Sequence, residues 1–195
     1  MSSRNATVDA EPDVDDRILD AAARLLQLAG TRKPPIAELA RQAGVSRPTV
    51  YRRYADSEAV IRALWEREIG RLLADTPRRS NERRALVAQV VDLADRISSN
   101  ETLGRTFSAD QPLIARYIVD RLGGGQRALL GVLRDAIAAS QAGGTVRKGN
   151  PDELAAMTLL IAQSAIQSRR MIAEFLPAKS WRRELSHAID GYLAP

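Results

Sequence analysis

The chain has 195 residues and a formal net charge of +5; 45% of its residues are hydrophobic, 4% are aromatic and none is cysteine. This length allows one or two compact domains, and the scarcity of aromatic and β-branched runs favours an all-α fold. Without cysteine there is no disulfide, thiolate nucleophile or cysteine metal site. No apolar run approaches the ~20 residues that span a bilayer, and no signal peptide is visible, so we expect a cytoplasmic protein.

The N-terminal region is predicted to be a disordered arm over residues 1–13 followed by a first helix. The arm is polar and acidic, whereas the basic residues of this region lie after it. From Val14 the apolar residues Ile18, Ala22 and Leu25 recur at helical spacing, and Gly30 ends the pattern. The sequence therefore predicts an amphipathic helix that needs a packing partner.

Two short helices separated by a glycine come next. A pair of prolines can precede a helix but not interrupt it, so the second helix is predicted over residues 36–43. Gly44 ends it, and the hydroxyl of Ser46 can cap a third helix by accepting the amide of Thr49. Such a pair of helices can place the second one, Ser46 to Tyr54, in the major groove of DNA.

The outward face of the third helix is suited to DNA, because Val45 and Val50 are predicted to pack inward. Arginine can grip guanine bidentately, and other side chains can bond phosphates. An exposed arginine or tyrosine is more often a solvated or packing residue, but here the glycine turn, the cap and the basic face occur together. Arg47 and Thr49 are our candidates for base contacts. The candidate DNA-binding residues on this helix are Ser46, Arg47, Pro48, Thr49, Tyr51, Arg52 and Arg53.

The rest of the chain also reads as helical. Asp56 or Ser57 can cap a fourth helix to about Ala74, and the polar stretch after it predicts a boundary between domains at 14–75 and 81–195. Further helices are predicted over 81–98, 101–108, 111–122, 126–142, 151–176 and 179–193, with breaks at Gly123, Gly124, Gly125, Gly143, Gly144 and Pro177.

The segments RILDAAARLL and IAELARQAGVSRPTVYRRYADSEAV resemble the N-terminal domain of TetR-type (tetracycline repressor-like) transcriptional repressors over about residues 15–70. The resemblance implies an all-helical homodimer that binds a palindromic operator through its third helix and carries a C-terminal domain for a small-molecule inducer. It also implies that Thr49, Tyr51 and Arg53 contact DNA, although histidine is commoner than arginine at the last position.

The sequence departs from that family at the start of the second helix. Pro34 and Pro35 stand where members usually have a threonine and a serine that cap the helix and touch phosphate. Lys33 can substitute as a phosphate contact, and Pro35 can still begin the helix. Thr31 replaces a usual aromatic, and Ser57 replaces a common phosphate-facing lysine. We expect an altered affinity but the same binding mode.

The last two helices leave two interpretations open. Their apolar stripes could complete the core of their own subunit, or form half of an intermolecular four-helix bundle. Packing alone favours the core, whereas the resemblance favours a homodimer through residues 151–193. Four polar side chains in the first of these helices could line a ligand cavity or make ordinary interhelical hydrogen bonds. They are Gln163, Ser164, Gln167 and Ser168.

An enzyme is not expected from this inventory of residues. The single histidine, His187, has no visible catalytic partner, and no phosphate loop or metal-ligand spacing is present, so no metal and no cofactor are predicted. The remaining alternative to a regulator is a DNA-binding or interaction protein of the same fold without small-molecule control. The inducer and the operator sequence are not specified by the chain.

Overall fold

A computed structural model describes residues 13–29, 33–76, 82–103 and 122–195, and all regular secondary structure in these ranges is helical. This confirms the all-α prediction. The N-terminal helices are α1 (Val14–Ala29), α2 (Ile36–Ala43), α3 (Arg47–Arg53) and α4 (Ser57–Ala74). Their bounds agree with the periodicity and the capping residues of the sequence. The predicted arm lies, apart from its last residue, outside the described residues.

The C-terminal helices are α5 (Arg83–Ser99), α6 (Gly124–Ala142), α7 (Pro151–Ser168) and α8 (Ala178–Leu193). Residues 101–103 are also helical. The rest of the helix predicted at 101–108 and most of that at 111–122 fall outside the described residues.

Two of the predicted boundaries are wrong. Helix α6 begins at Gly124, within the predicted glycine break, because the side chain of Gln126 accepts the N–H of Gly123 at 2.9 Å and closes the first turn. Helix α7 ends at Ser168 rather than Leu176. Tight turns follow it, in which some backbone N–H groups bond the carbonyl three residues back instead of four.

The apolar stripe of α8 is buried within its own subunit. Trp181, Leu185, Ile189 and Leu193 are all inaccessible to solvent, and α8 packs on α5 and α7. The stripe therefore completes the core, as packing alone favoured, and is not available to a second subunit.

Helix α4 lies between the N-terminal and C-terminal helices. It packs against α1 on one side and against α5 and α6 on the other. The buried side chains form a single hydrophobic cluster that includes residues from both predicted domains. The division at residues 76–80 remains a prediction. Among the described residues, no helix combines the length and hydrophobicity that a membrane crossing requires.

Candidate DNA-binding site and interior cavity

The turn between α2 and α3 is built on Gly44. Its backbone adopts φ 64° and ψ 36°, the left-handed region that glycine enters at little cost. The N–H of Val45 bonds the carbonyl of Ala40 at 3.0 Å, and the N–H of Gly44 bonds that of Arg41 at 3.3 Å. This pattern satisfies the last carbonyls of α2 and redirects the chain within a few residues. It fixes the angle at which α3 leaves α2.

Ser46 begins α3 as predicted. Its hydroxyl oxygen accepts the N–H of Thr49 at 3.2 Å, and the two hydroxyl oxygens are 2.8 Å apart. Pro48 lies in the first turn, where no intrahelical N–H bond is needed. The hydroxyl of Thr49 is therefore held at the N-terminus of α3 by its hydrogen bond to Ser46.

The faces of α3 divide as expected. Val50 is fully buried, and Val45 packs against the core. Tyr51 is 57% exposed and lies on the outer side of the helix. Thr49 is half-buried. The predicted residues on the solvent side of α3 are Ser46, Arg47, Pro48, Tyr51, Arg52 and Arg53, all exposed. The structure therefore places a basic surface around one aromatic ring.

Asp15 on α1 holds the C-terminal end of α3. One carboxylate oxygen is 2.7 Å from the guanidinium of Arg53, and the other accepts the hydroxyl of Tyr54 at 3.1 Å. Burial and the neighbouring Asp15 raise the pKa of Tyr54 to about 12, so the phenol stays protonated and donates. The sequence analysis missed this role. The only signal was an acidic residue in the first turn of α1, which is common at helix N-termini.

The residues before α2 make contacts that the sequence did not reveal. The hydroxyl of Ser57 donates to the carbonyl of the buried Pro34 at 2.8 Å. Pro35 occupies the N-cap of α2 without a side-chain cap, as predicted. Lys33, the candidate phosphate contact, forms an ion pair with Glu58 at the start of α4. Helix α4 is capped by Asp56, whose carboxylate accepts the N–H of Ala59 at 2.7 Å.

An ion-pair cluster joins α4 to α1. The guanidinium of Arg67 lies 3.1 Å from Asp16 and 2.7 Å from Asp20, and its side chain is only 13% exposed. A partly buried arginine with two carboxylate partners is held in one geometry more firmly than an exposed pair would be. Helix α1 is therefore held against α4 by this cluster.

A cavity of about 650 Å³ lies among α4, α5, α6 and α7. Two of the predicted ligand residues, Gln163 and Gln167, line it. The other two do not: Ser164 is exposed on α7, and Ser168 lies off the lining. The sequence analysis missed Gln126, which is buried and donates to Gln163 at 2.8 Å. Gln126 was not recognised because its partner lies on another helix, 37 residues away.

A metal centre finds no support in the described ranges, which hold no cluster of three or more histidine, aspartate or glutamate residues able to bind an ion. His187 is exposed on α8, away from the buried stripe of that helix.

Two short helices joined by a left-handed glycine, the second exposing a basic face, define a helix-turn-helix DNA-binding protein. The comparisons with known proteins agree. The model of the family described as bacterial regulatory proteins, tetR family, matches residues 18–64. A helix-turn-helix-type transcriptional regulator of Mycobacterium bovis is 39% identical over 181 residues, covering 93% of this chain and 95% of the relative. The chain therefore belongs to the TetR family of transcriptional regulators.

Solved structures share the whole fold at low sequence identity. A TetR transcription regulator from Haloarcula marismortui is 18% identical with a TM-score of 0.68, over 94% of this chain and 100% of that one. The regulator SmeT, solved in complex with triclosan, is 17% identical with a TM-score of 0.66, over 93% and 92% of the two chains. The similarity extends through the C-terminal helices, which the sequence alone could not relate to a known fold.

Proposed function

We propose that the protein is a homodimeric repressor that binds a palindromic operator and releases it when a small molecule occupies the cavity. The observation that carries this proposal is the exposed basic face of α3, mounted on the fixed turn at Gly44. Apart from the ion pair of Arg53 with Asp15, the arginines of this face have no carboxylate partner within the described part of their own subunit. Operator DNA supplies both the negative charge and the groove that this face needs.

Base reading is assigned to the N-terminal half of α3, and anchoring to the remaining residues. Arg47 and Thr49 lie where a recognition helix meets base edges. Tyr51 and Arg52 are proposed to bond phosphates. Lys33 and Arg53 also serve as phosphate contacts in this proposal, which requires each to exchange its carboxylate for a phosphate. Since exposed ion pairs are worth only about 0–1 kcal/mol, that exchange costs little.

A second copy of the chain is the proposed partner of α7. Helix α7 buries Leu154, Leu159 and Ala162 but leaves Met157 and Leu160 exposed to solvent. Ser164 continues the exposed face, one turn after Leu160. On the neighbouring α8 the exposed side carries His187, Ala188 and Gly191, small or polar residues that permit close helix approach. The proposed interface thus uses the last two helices, but not the apolar stripe of α8.

Ligand-dependent release is proposed to act through α4. Trp65 and Ile69 of α4 form part of the cavity wall, while Arg67 of the same helix holds Asp16 and Asp20 of α1. A ligand that shifts α4 therefore also shifts α1, and with it the position of α3. The SmeT complex with triclosan, which has a similar fold, supports a small-molecule role for these helices.

The DNA-binding proposal is tested by fluorescence anisotropy with the DNA upstream of the gene and with a scrambled fragment. Arg47→Ala and Tyr51→Ala are each expected to weaken operator binding by at least about tenfold, since one good base contact is worth about 1–3 kcal/mol. Arg52→Ala should reduce the slope of log affinity against log salt by about 2, because the dimer loses one phosphate contact in each subunit. The circular dichroism spectrum and the mass of the dimer in solution should not change.

Arg84→Ala is the matched control, because Arg84 is also an exposed arginine in a first helical turn but lies on α5. It should bind as the parent chain does. Equal affinity of the parent chain for both fragments would contradict operator recognition. Unchanged binding by both Arg47→Ala and Tyr51→Ala would show that α3 does not read the DNA.

A further inference from the structure

Taking the proposed ligand control as its basis, we infer that the cavity selects an uncharged, largely apolar molecule whose one polar end is bound by glutamine amides. This chemistry is set by the side chains that the described part of this chain places around the cavity.

The wall of the cavity is mostly aliphatic. Leu86, Val90, Leu129 and Leu159 are buried side chains from three helices that face the same space, and Trp65 closes one side. A volume of about 650 Å³ lies within the range of pockets that hold drug-sized ligands. Such a surface gains most from a ligand that removes apolar area from water.

Among the described residues of this wall, a charged ligand finds no free side chain of opposite charge. Among the described lining residues there is no lysine, arginine or histidine, and Asp135 is the only ionisable one. Its side chain is 60% exposed and already lies 3.0 Å from Arg134. Burying a carboxylate, phosphate or ammonium without an opposite charge is costly. The lining therefore favours a neutral ligand over an ion of the same size.

The polar recognition falls to glutamine side chains. Gln126 uses both ends of its amide, accepting from Gly123 and donating to the carbonyl oxygen of Gln163. That bond orients Gln163, whose amide nitrogen finds no acceptor among the described residues. The hydroxyls of Ser140 and Thr76 already donate to the backbone carbonyls of Ala136 and Leu72. Gln163, with Gln167 one turn further on, thus offers hydrogen bonds suited to a hydroxyl or carbonyl oxygen.

The test titrates the full-length protein with 1-decanol, decanoate and decylammonium at neutral pH, each below its aggregation concentration. The readout is the fluorescence of Trp65, which lines the cavity, whereas Trp181 is buried elsewhere and donates to the carbonyl of Ala165. We expect 1-decanol to bind at least about tenfold more tightly than either ion. 1-Octanol should bind about fifteenfold more weakly than 1-decanol, because each methylene is worth about fourfold.

Two substitutions define where the probe binds. Ala136→Phe fills the cavity and should abolish binding, whereas Ala138→Phe, on the exposed side of the same helix, should bind normally. Ala139→Leu, at a second lining position, replaces Ala136→Phe if melting shows that variant to be unfolded. Gln163→Leu should weaken the binding of 1-decanol by about fivefold, because one hydrogen bond is lost.

Tighter binding of decanoate or decylammonium, no binding of 1-decanol, or normal binding in both cavity-filling variants would overturn the inference. Unchanged affinity in Gln163→Leu would overturn the position assigned to the polar end. Because binding is read without DNA, these results are separate from the proposed function. A probe that binds as expected but does not release the operator contradicts ligand control and leaves the inference standing.

Discussion

A Cβ atom added to Gly44 would meet no heavy atom within 4 Å, although the backbone there is left-handed. The cost of a side chain at this position is therefore conformational and not steric. Gly70, in the middle of α4, has equally open space around it but lies in an ordinary helix. The two glycines thus differ in backbone conformation alone, which makes them a matched pair.

Gly44→Ala is expected to lower the free energy of unfolding by about 1–2 kcal/mol, because an alanine in the left-handed region strains the backbone. Gly70→Ala should raise it by about 0.5–1 kcal/mol, since alanine is the better helix former. Urea denaturation followed by circular dichroism measures both. A stabilising effect of Gly44→Ala would mean that the turn does not need its left-handed residue.

Features set by neighbouring residues could be predicted from the sequence, and long-range ones could not. The cap at Ser46 and the turn at Gly44 depend on residues within one helical turn, so local pattern was sufficient. The partners of Arg53 and Lys33 lie 38 and 25 residues away, on α1 and α4. No periodicity encodes such a pairing, because it arises only when the helices have packed.

At the scale of elements, the carboxylate of Asp95 on α5 binds residues on both sides of the connection between α7 and α8. Asp95 accepts from Arg169 at 2.7 Å and also pairs with Arg182 on α8. The guanidinium of Arg169 lies 4.4 Å from the ring centre of Trp181. The apolar spacing continues to Leu176, which is why the sequence predicted a longer α7. Asp95, which binds Arg169 at the end of α7, is 74 residues away from it in sequence.

Asp95→Asn is expected to destabilise the protein by about 1.5–3 kcal/mol at neutral pH, as hydrogen bonds to charged groups contribute about this much. Burial alone would raise the pKa of Asp95, but the hydrogen bonds and charges of Arg169 and Arg182 lower it below 3.8. A lowered folded-state pKa stabilises the fold above 3.8, and this contribution is lost as the pH falls through the lower value.

The difference in unfolding free energy between the parent chain and Asp95→Asn should therefore shrink in acid. Denaturation at neutral pH and below pH 3.8 measures it. Asp135→Asn is the control: its carboxylate is exposed and pairs with the adjacent Arg134, so its effect should stay within about 0.5 kcal/mol. A difference for Asp95→Asn that is constant with pH would show that the charge of Asp95 does not stabilise the fold.

At the scale of the whole molecule, α4 meets the N-terminus of α6 at close range. The carboxylate of Glu66 accepts the N–H of Gly124 at 2.9 Å, and a Cβ on Gly125 would lie only 3.0 Å from Ile69. The sequence predicted a break in the helix from these glycines. Their position instead allows α6 to approach α4, which only the packed structure reveals. Helix α4 lines the cavity and also packs against α1.

The proposed dimer requires the exposed face of α7, where Leu160 is 56% exposed. Two copies would present two α3 helices to successive major grooves, so that one half-site raises the effective concentration at the other.

Leu160→Glu should place a charge in that interface and give a monomer of 21.3 kDa by light scattering at micromolar concentration. Operator affinity should then fall by about 100-fold or more. Leu28→Glu, at an 81% exposed leucine of α1, is the matched control and should remain dimeric. A parent chain that is monomeric, or a Leu160→Glu variant that stays dimeric, would contradict the assigned interface.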